Sequence, residues 1–321
     1  HNKSIRCPDP GGSYATDYKY LAELDALGIT VPDSQPGMVR QARERSCMKD
    51  KMFVSRNIKF IVLSMLVSLP SAMAESASGK TYALIISGIN KDTQDKIARA
   101  QAVSDLQKFL LDKTKGTADS VKVLTADSSA DSAAGSQFEN IQKMMNHFES
   151  AVTGPDRFVF YYTGQANVAG QQLRFNLPGE DITQEQMAQL LEGIKASSIL
   201  IVLDCPASGL AVKALSRQGR IIICSCTDEQ VFSAKFGEYF VRALTSPETD
   251  IDEDGKVSLL EVFISTSKKV EDWYRQKQLL ITETPVLDDN GDGNASKEPW
   301  RYMIDVKDGL MAAEFFLWNE S

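Results

Sequence analysis

Histidine is nearly missing from this chain: His1 and His147 are the two among 321 residues. That scarcity excludes a His-rich zinc centre and any conventional Ser-His-Asp or Cys-His catalytic pair. His147 falls off the apolar stripe of Phe138, Ile141, Met145, Phe148 and Val152, so it reads as an exposed helix residue. Cysteine is sparse as well. Cys7 and Cys47 lie in the amino-terminal third, and Cys205, Cys224 and Cys226 lie far beyond it. The last three allow one disulfide and one buried thiol, or three buried thiols, and the second reading is preferred. Cys224-Ser225-Cys226 is not a metal signature, because a rigid strand projects both thiols to one face. Excess positive charge is absent too. A net charge of −8 argues against a nucleic-acid partner, which calls for a basic face. Apolar runs are short, and the longest, 60–70, is too short to span a bilayer as a stable helix.

What remains is the composition of a soluble globular protein, 43% apolar and 24% charged, with an ample core. Residues 52–59 are short and basic, 60–70 are apolar, and Ala72-Met73-Ala74 offers small residues at alternate positions. Basic, apolar, then small is the order of a secretory signal peptide. Residues 48–74 are therefore expected to be that signal, and 1–47 a misassigned or non-coding upstream segment. The mature protein is expected to be exported, periplasmic or secreted, and to keep no stable membrane span.

Beyond Lys80 the pattern alternates. Strands are predicted at 82–87, 121–124, 158–163, 199–203 and 221–224. Helices are predicted at 91–113 (with Ile97, Val103, Leu106, Leu110 and Leu111 as its apolar positions), 137–152, 184–194, 236–244 and 258–278. Residues 312–318 read as an edge strand or a packed tail. Such alternation predicts an α/β fold, a three-layer sandwich around a mostly parallel sheet, in one domain over 80–318. In sheets of this kind, binding and chemistry sit at the carboxyl ends of the strands.

Two of those ends carry the most specific signals. The first junction runs Tyr161-Tyr162-Thr163-Gly164-Gln165-Ala166, and the second Asp204-Cys205-Pro206-Ala207-Ser208-Gly209. Together they resemble the caspase and legumain group of cysteine peptidases, whose junctions run approximately Tyr-Tyr-Thr-Gly-His-Gly and Asp-x-Cys-x-Ser-Gly. Residues 173–181, 219–223, 235–240 and 287–293 resemble the same segments in an exported bacterial branch of that group. The resemblance implies a caspase-like fold and assigns the family histidine position to Gln165 and the family cysteine position to Pro206. Gln165 cannot titrate near neutral pH. Pro206 has neither a nucleophile nor a backbone N–H for an oxyanion. Ala166, where the group has glycine, adds a Cβ at a point where a loop would need positive φ. Cys205 is the fallback nucleophile, one residue early, with Asp204 or Asp181 as the acidic groups that could serve it. The expectation is a catalytically inactive domain acting as a binding or regulatory module toward an unknown protein or peptide partner. An active cysteine endopeptidase using Cys205 is the alternative.

One loop keeps a complete set of ligands. From Asp250 to Glu261 the chain follows the twelve-residue EF-hand pattern position by position. Asp250, Asp252 and Asp254 offer side-chain oxygens and Lys256 its carbonyl. Ser258 fills the often water-mediated position, Glu261 the bidentate one, and Gly255 the sharp turn. Ca²⁺ is the expected ion. A second loop, with Asp288, Asn290 and Asp292 at alternate positions, is a possible metal site. It has Pro299 where the closing glutamate belongs, and a plain Asx turn is the other reading.

Overall fold

A computed structural model of the chain describes residues 79–90, 92–128, 134–232, 234–301 and 308–317. The segments expected to be upstream sequence and signal peptide lie outside the described residues. The described ones belong to a single unit, Met73–Ser321.

The strands form because their residues are β-branched, aromatic or aliphatic in runs too short for helices. Five are parallel: β1 (Thr81–Ser87), β2 (Val121–Thr125), β3 (Arg157–Thr163), β7 (Ser198–Asp204) and β8 (Arg220–Cys224). The sixth strand, β9 (Val286–Asp288), is antiparallel to β8, and the sheet order is β2-β1-β3-β7-β8-β9. The α/β class with a mostly parallel sheet is thus the observed one. Three further strands, β4 (Ala166–Ala169), β5 (Gln172–Phe175) and β6 (Ile182–Thr183), make a small antiparallel sheet beyond the first junction.

Period-two alternation splits the core in two. Leu84, Phe160, Tyr162, Ile201 and Leu203 face one layer, built from α2 (Phe138–Ala151), α3 (Gln184–Glu192) and α4 (Val212–Leu215). Ala83, Ile85, Tyr161, Leu200 and Val202 face the other, built from α1 (Thr93–Lys113), α5 (Phe236–Thr245) and α6 (Leu259–Gln276). Strands covered on both faces need no polar face, which is why β7 is buried at all seven positions.

Helix boundaries follow their caps more closely than the apolar spacing. The Asp92 carboxylate accepts the amides of Gln94 and Asp95, so α1 starts at Thr93 rather than 91. Capping boxes at Thr183–Gln186 and Ser258–Glu261 start α3 and α6. Gly193 stops α3 two residues before the expected end, and α6 stops at Gln276. Ile97, at an apolar position of the predicted helix, is 66% exposed. The buried face of that helix runs instead through Asp95, Arg99, Ala102, Val103, Leu106, Phe109 and Leu110. Residues 312–317, the described part of the expected edge strand or tail, are a packed tail and not a strand. A short helix, α7 (Leu310–Ala313), precedes Phe315 and Leu317, which are buried in the α5–α6 layer.

Ile201→Ala, at the centre of β7, should cost about 2–5 kcal/mol through lost burial and a residual cavity. Ile97→Ala should change stability by less than about 0.5 kcal/mol. Urea denaturation of both variants checks the contrast.

Candidate functional site

Both junctions sit at the same end of the sheet, since β3 and β7 are parallel neighbours with Thr163 beside Asp204. At the first junction, Gln165 is locked through its backbone. Its amide donates to Ile89 O at 2.9 Å, and its carbonyl accepts from the Asn176 amide at 3.1 Å and the Tyr162 hydroxyl at 2.8 Å. Ala166 opens β4, paired with Phe175, without positive φ. Its Cβ therefore strains nothing, contrary to the sequence expectation. Asp181 is spent on the loop as well, accepting the Leu177 amide at 3.0 Å.

At the second junction, Cys205 is fully buried in the α2–α3 layer, and Pro206 is buried beside it. Ala207 takes a left-handed conformation (φ 52°) that turns the chain into a 3₁₀ turn, Ser208–Ala211. Cys205, Cys224 and Cys226 are all free, buried thiols, the preferred sequence reading. Burial pushes all three up, and for Cys205 the neighbouring Cys226, Cys224 and Asp204 push further in the same direction. A thiol in such surroundings is an inert core group.

What joins the junctions is a residue the sequence reading passed over. Arg99, 4% exposed, extends from α1 to the strand ends. Its Nη1 donates to Thr163 Oγ1 at 3.0 Å, Gly164 O at 2.9 Å and Asp204 O at 2.9 Å, and lies 3.8 Å from the Asp204 carboxylate. Thr163 Oγ1 in turn donates to Asp204 Oδ2 at 2.7 Å. Beside this cluster, Lys235 pairs with Asp95 at 2.7 Å. The hollow between Asp95, Arg99, Asp204, Lys235 and Gly237 measures about 10 Å³, room for one water at most. Gly237 is needed for the fit: a Cβ there would stand 2.4 Å from Asp204 Oδ2 and 2.5 Å from the Tyr161 hydroxyl. An arginine inside the apolar stripe of α1 was the signal that could have revealed the clamp.

Glu283 closes the same region from the segment before β9. Its carboxylate is 2% exposed and accepts the amides of Lys235 and Phe236 at 2.8–2.9 Å, at the start of α5. Burial, with Asp204 nearby, pushes its pKa up to about 8, against the pull of those amides. A larger, open groove of about 980 Å³ lies on the α3–α4 side, lined by Gln184, Glu185, Lys213, Thr227, Asp228 and Lys297 among others.

The acidic loops differ from one another. Ligand oxygens of Asp250, Asp252 and Asp254 lie within 4.8 Å of one another. Asp250 accepts the amides of Asp254 and Gly255, Asp252 that of Asp254, and Asp254 that of Lys256, with Gly255 at φ 82°. Glu261 ties the ends together, accepting Ile251 N and Ser258 N, both at 2.7 Å, and the Ser258 hydroxyl. Lys256 holds its ammonium over the Phe316 ring, 5.6 Å from the centroid, which leaves the loop interior to the acids. Asp252 is held above its usual range by burial and then by Glu261, Asp254 and Asp250. The second loop repeats this amide-accepting pattern but has Pro299 in the place of a counterpart to Glu261. Asp288 accepts Gly291 N and Gly293 N, Asn290 accepts Asp292 N, and Asp292 accepts Asn294 N. Asp308 fastens this loop through the Asn290 amide and Ser296.

No family model matches the chain, and no curated protein matches its sequence. Solved structures similar to it include Raptor of Chaetomium thermophilum, at 13% identity and TM-score 0.36, over 54% of this chain and 18% of that one. The chain therefore spans under a fifth of the Raptor chain. Caspase-1 of Spodoptera frugiperda is similar at 9% identity and TM-score 0.41, over 66% of this chain and 87% of that one. The Drosophila initiator caspase Dronc is similar at 10% identity and TM-score 0.37, over 75% and 96%.

Removing the clamp should be severe. Arg99→Met leaves the Asp204 carboxylate without its counter-charge and the Gly164 and Asp204 carbonyls without their arginine donor, and is expected to cost about 3–5 kcal/mol. Arg217→Met, on a pair that is half exposed, should cost under about 1 kcal/mol. Thermal melts of the two variants check this. The raised Glu283 pKa also sets a sign. Between the ordinary glutamate value of 4.5 and about 8 the folded state holds a proton that the unfolded state has lost. The contribution of Glu283 to stability is thus full below that window and falls as pH rises through it. Glu283→Gln should remove this slope, read as the difference between the two stability–pH curves.

Proposed function

We propose that the chain is a catalytically inactive, exported domain of the caspase and legumain type that binds Ca²⁺ and serves as a binding or regulatory module. The observation that carries this reading is the contrast between its two sets of functional groups. At the strand ends, glutamine and proline stand where the resembled group has its histidine and cysteine. Cys205 is sealed in the core with its thiol held protonated, and Arg99 fills the space between the junctions. A cysteine peptidase needs a thiolate, a base and open access, and none of these is met.

The loop at 250–261 has the opposite character. Asp250, Asp252 and Asp254 would supply carboxylate oxygens, Lys256 its carbonyl and Glu261 its carboxylate, on a loop whose turn is already formed. Like-charged oxygens held close together are costly unless a cation joins them. Because Ser258 and Glu261 also start α6, an ion there would stabilise the helix that packs under the tail. The second loop has the same turn but no glutamate at its closing position, and is read as an Asx turn on that ground. The open groove on the α3–α4 side has the size and mixed polarity of a peptide site. Export rests on the order of residues at 48–74. No helix among the described residues is long and apolar enough to cross a membrane.

With a Kd of roughly 10⁻⁴–10⁻³ M, about 5 mM Ca²⁺ should stabilise the fold by about 1–2.5 kcal/mol and raise the melting temperature by several degrees. Asp254→Ala should erase that rise, and an unchanged wild-type melt would remove the metal from the reading. Native protein should keep Cys205 unlabelled by iodoacetamide, and untreated protein should not cleave Asn- or Asp-containing peptides. Cleavage lost in Cys205→Ala would establish the active endopeptidase instead.

A further inference from the structure

Cys205 and Cys226 meet at the carboxyl ends of β7 and β8. Those strands pair in parallel with a constant offset, from Ile199 beside Arg220 to Leu203 beside Cys224. The ladder continues past β8, where the Ser225 amide donates to Leu203 O at 2.9 Å. Carried two residues beyond Leu203 and Cys224, the same offset sets Cys205 beside Cys226. Alternation turns both thiols toward one layer: Leu203, Cys205 and Cys224 face it, and Cys226 follows Cys224 by two residues. The Cys226 thiol donates to the Cys205 carbonyl at 3.3 Å, so the two residues touch. Neighbouring strands lie about 4.8 Å apart, inside the roughly 4.4–6.8 Å Cα separation that a disulfide accepts. Cys224 is placed differently. It stands opposite Leu203, and its thiol donates to Ser208 O at 3.3 Å. The chain around the pair is already knotted. The Ala207 amide donates to Gln230 O at 2.8 Å, the Gly209 amide to Cys226 O at 3.0 Å, and the Cys226 amide to Ser208 Oγ at 3.3 Å.

We propose that Cys205 and Cys226 form a disulfide under oxidising conditions, a cross-link between the ends of two central strands that fixes one bank of the open groove. The structure, with free thiols, is the reduced form. The reaction is exchange with a small disulfide such as oxidised glutathione. The Cys226 thiolate attacks one sulfur of that disulfide and releases a first small thiol. The Cys205 thiolate then attacks the mixed disulfide at Cys226 Sγ and releases the second. The protein gives up two protons and two electrons, and the small disulfide becomes two thiols. Cys226 enters first because hydrogen bonds with Ser208 and Ser225 offset part of the burial that pushes its pKa up. Burial also sets when the exchange runs. Thiolates are scarce in the closed core, so the bond forms while the chain folds or when the two loops open. Those loops supply Gly209, Leu210, Thr227, Asp228 and Glu229 to the groove. A cross-link behind them holds the bank in one shape, which lowers the ordering cost of binding. The inference rests on strand register and depends on neither export nor Ca²⁺.

Refolding of the full wild-type chain from urea in a mixture of oxidised and reduced glutathione tests the pairing, with alkylation in denaturant and peptide mapping without reduction as the readout. Two peptides joined through Cys205 and Cys226, with Cys224 alkylated, are the expected result. Mapping separates that pair from any bridge made through Cys7 or Cys47. The cross-linked form should melt several degrees above the same protein after reduction. Cys224→Ala should keep the bridge, and Cys226→Ala should lose both the bridge and the difference in melting temperature. Absence of the Cys205–Cys226 pair in wild type overturns the proposal, whether the thiols are found alkylated or joined elsewhere. So does a cross-linked form that melts no higher than the reduced one, because the strand ends would then have to distort to make the bond.

Discussion

The guanidinium of Arg99 is the constraint on which the rest of the strand-end architecture depends. One nitrogen collects the hydroxyl of Thr163 and the carbonyls of Gly164 and Asp204, at the ends of two central strands. Buried carbonyls left without donors are costly, and a buried cation without a counter-charge is costlier. Arg99 answers both demands at once, with the Asp204 carboxylate as its partner. It also fixes what can happen nearby. α1 must lie across the strand ends, Gly237 must lack a side chain so that α5 can approach Asp204, and Lys235 must turn toward Asp95. The space between the junctions is consequently filled by protein.

That filling gives the two substituted positions a common physical meaning. Gln165 contributes its backbone to a knot with Ile89, Tyr162 and Asn176, and Pro206 sits buried at the entry to a left-handed Ala207. Cys205 points into an aliphatic and aromatic layer, where burial disfavours its ionisation. These groups support packing. The acidic turn at 251–256 is exposed and crowded with like charge, and its shape is held by its own amides.

Much of the architecture was legible beforehand, because its signal is local. Five strands and five long helices announce themselves through periods of two and about three and a half residues, and their bounds shift by no more than a turn once caps are known. Three features were not legible, each for a stated reason. The β4–β6 sheet has strands of two to four residues, too short for a period to register. β9 is three residues long and is defined by its pairing to β8. Ile97 sits at helical spacing from true core positions, but the face of α1 is chosen by where Arg99 must point, and this turns Ile97 to solvent. The first acidic loop was legible because a metal-type loop is written in consecutive residues. Arg99, Thr163, Asp204, Glu283 and Lys235 come from five separate segments, and no spacing along the chain connects them.

By itself the sequence determined the class of fold, the absence of a histidine to run cysteine chemistry, and the order of acidic residues in the loop at 250–261. All three are properties of residue type and short-range order. Only the tertiary structure decided that Cys205 is sealed in the core against Cys226, and that an arginine occupies the space between the junctions. Each of those outcomes depends on which distant groups come within hydrogen-bonding or van der Waals range. Such distances are set by how the layers pack and cannot be counted along the chain.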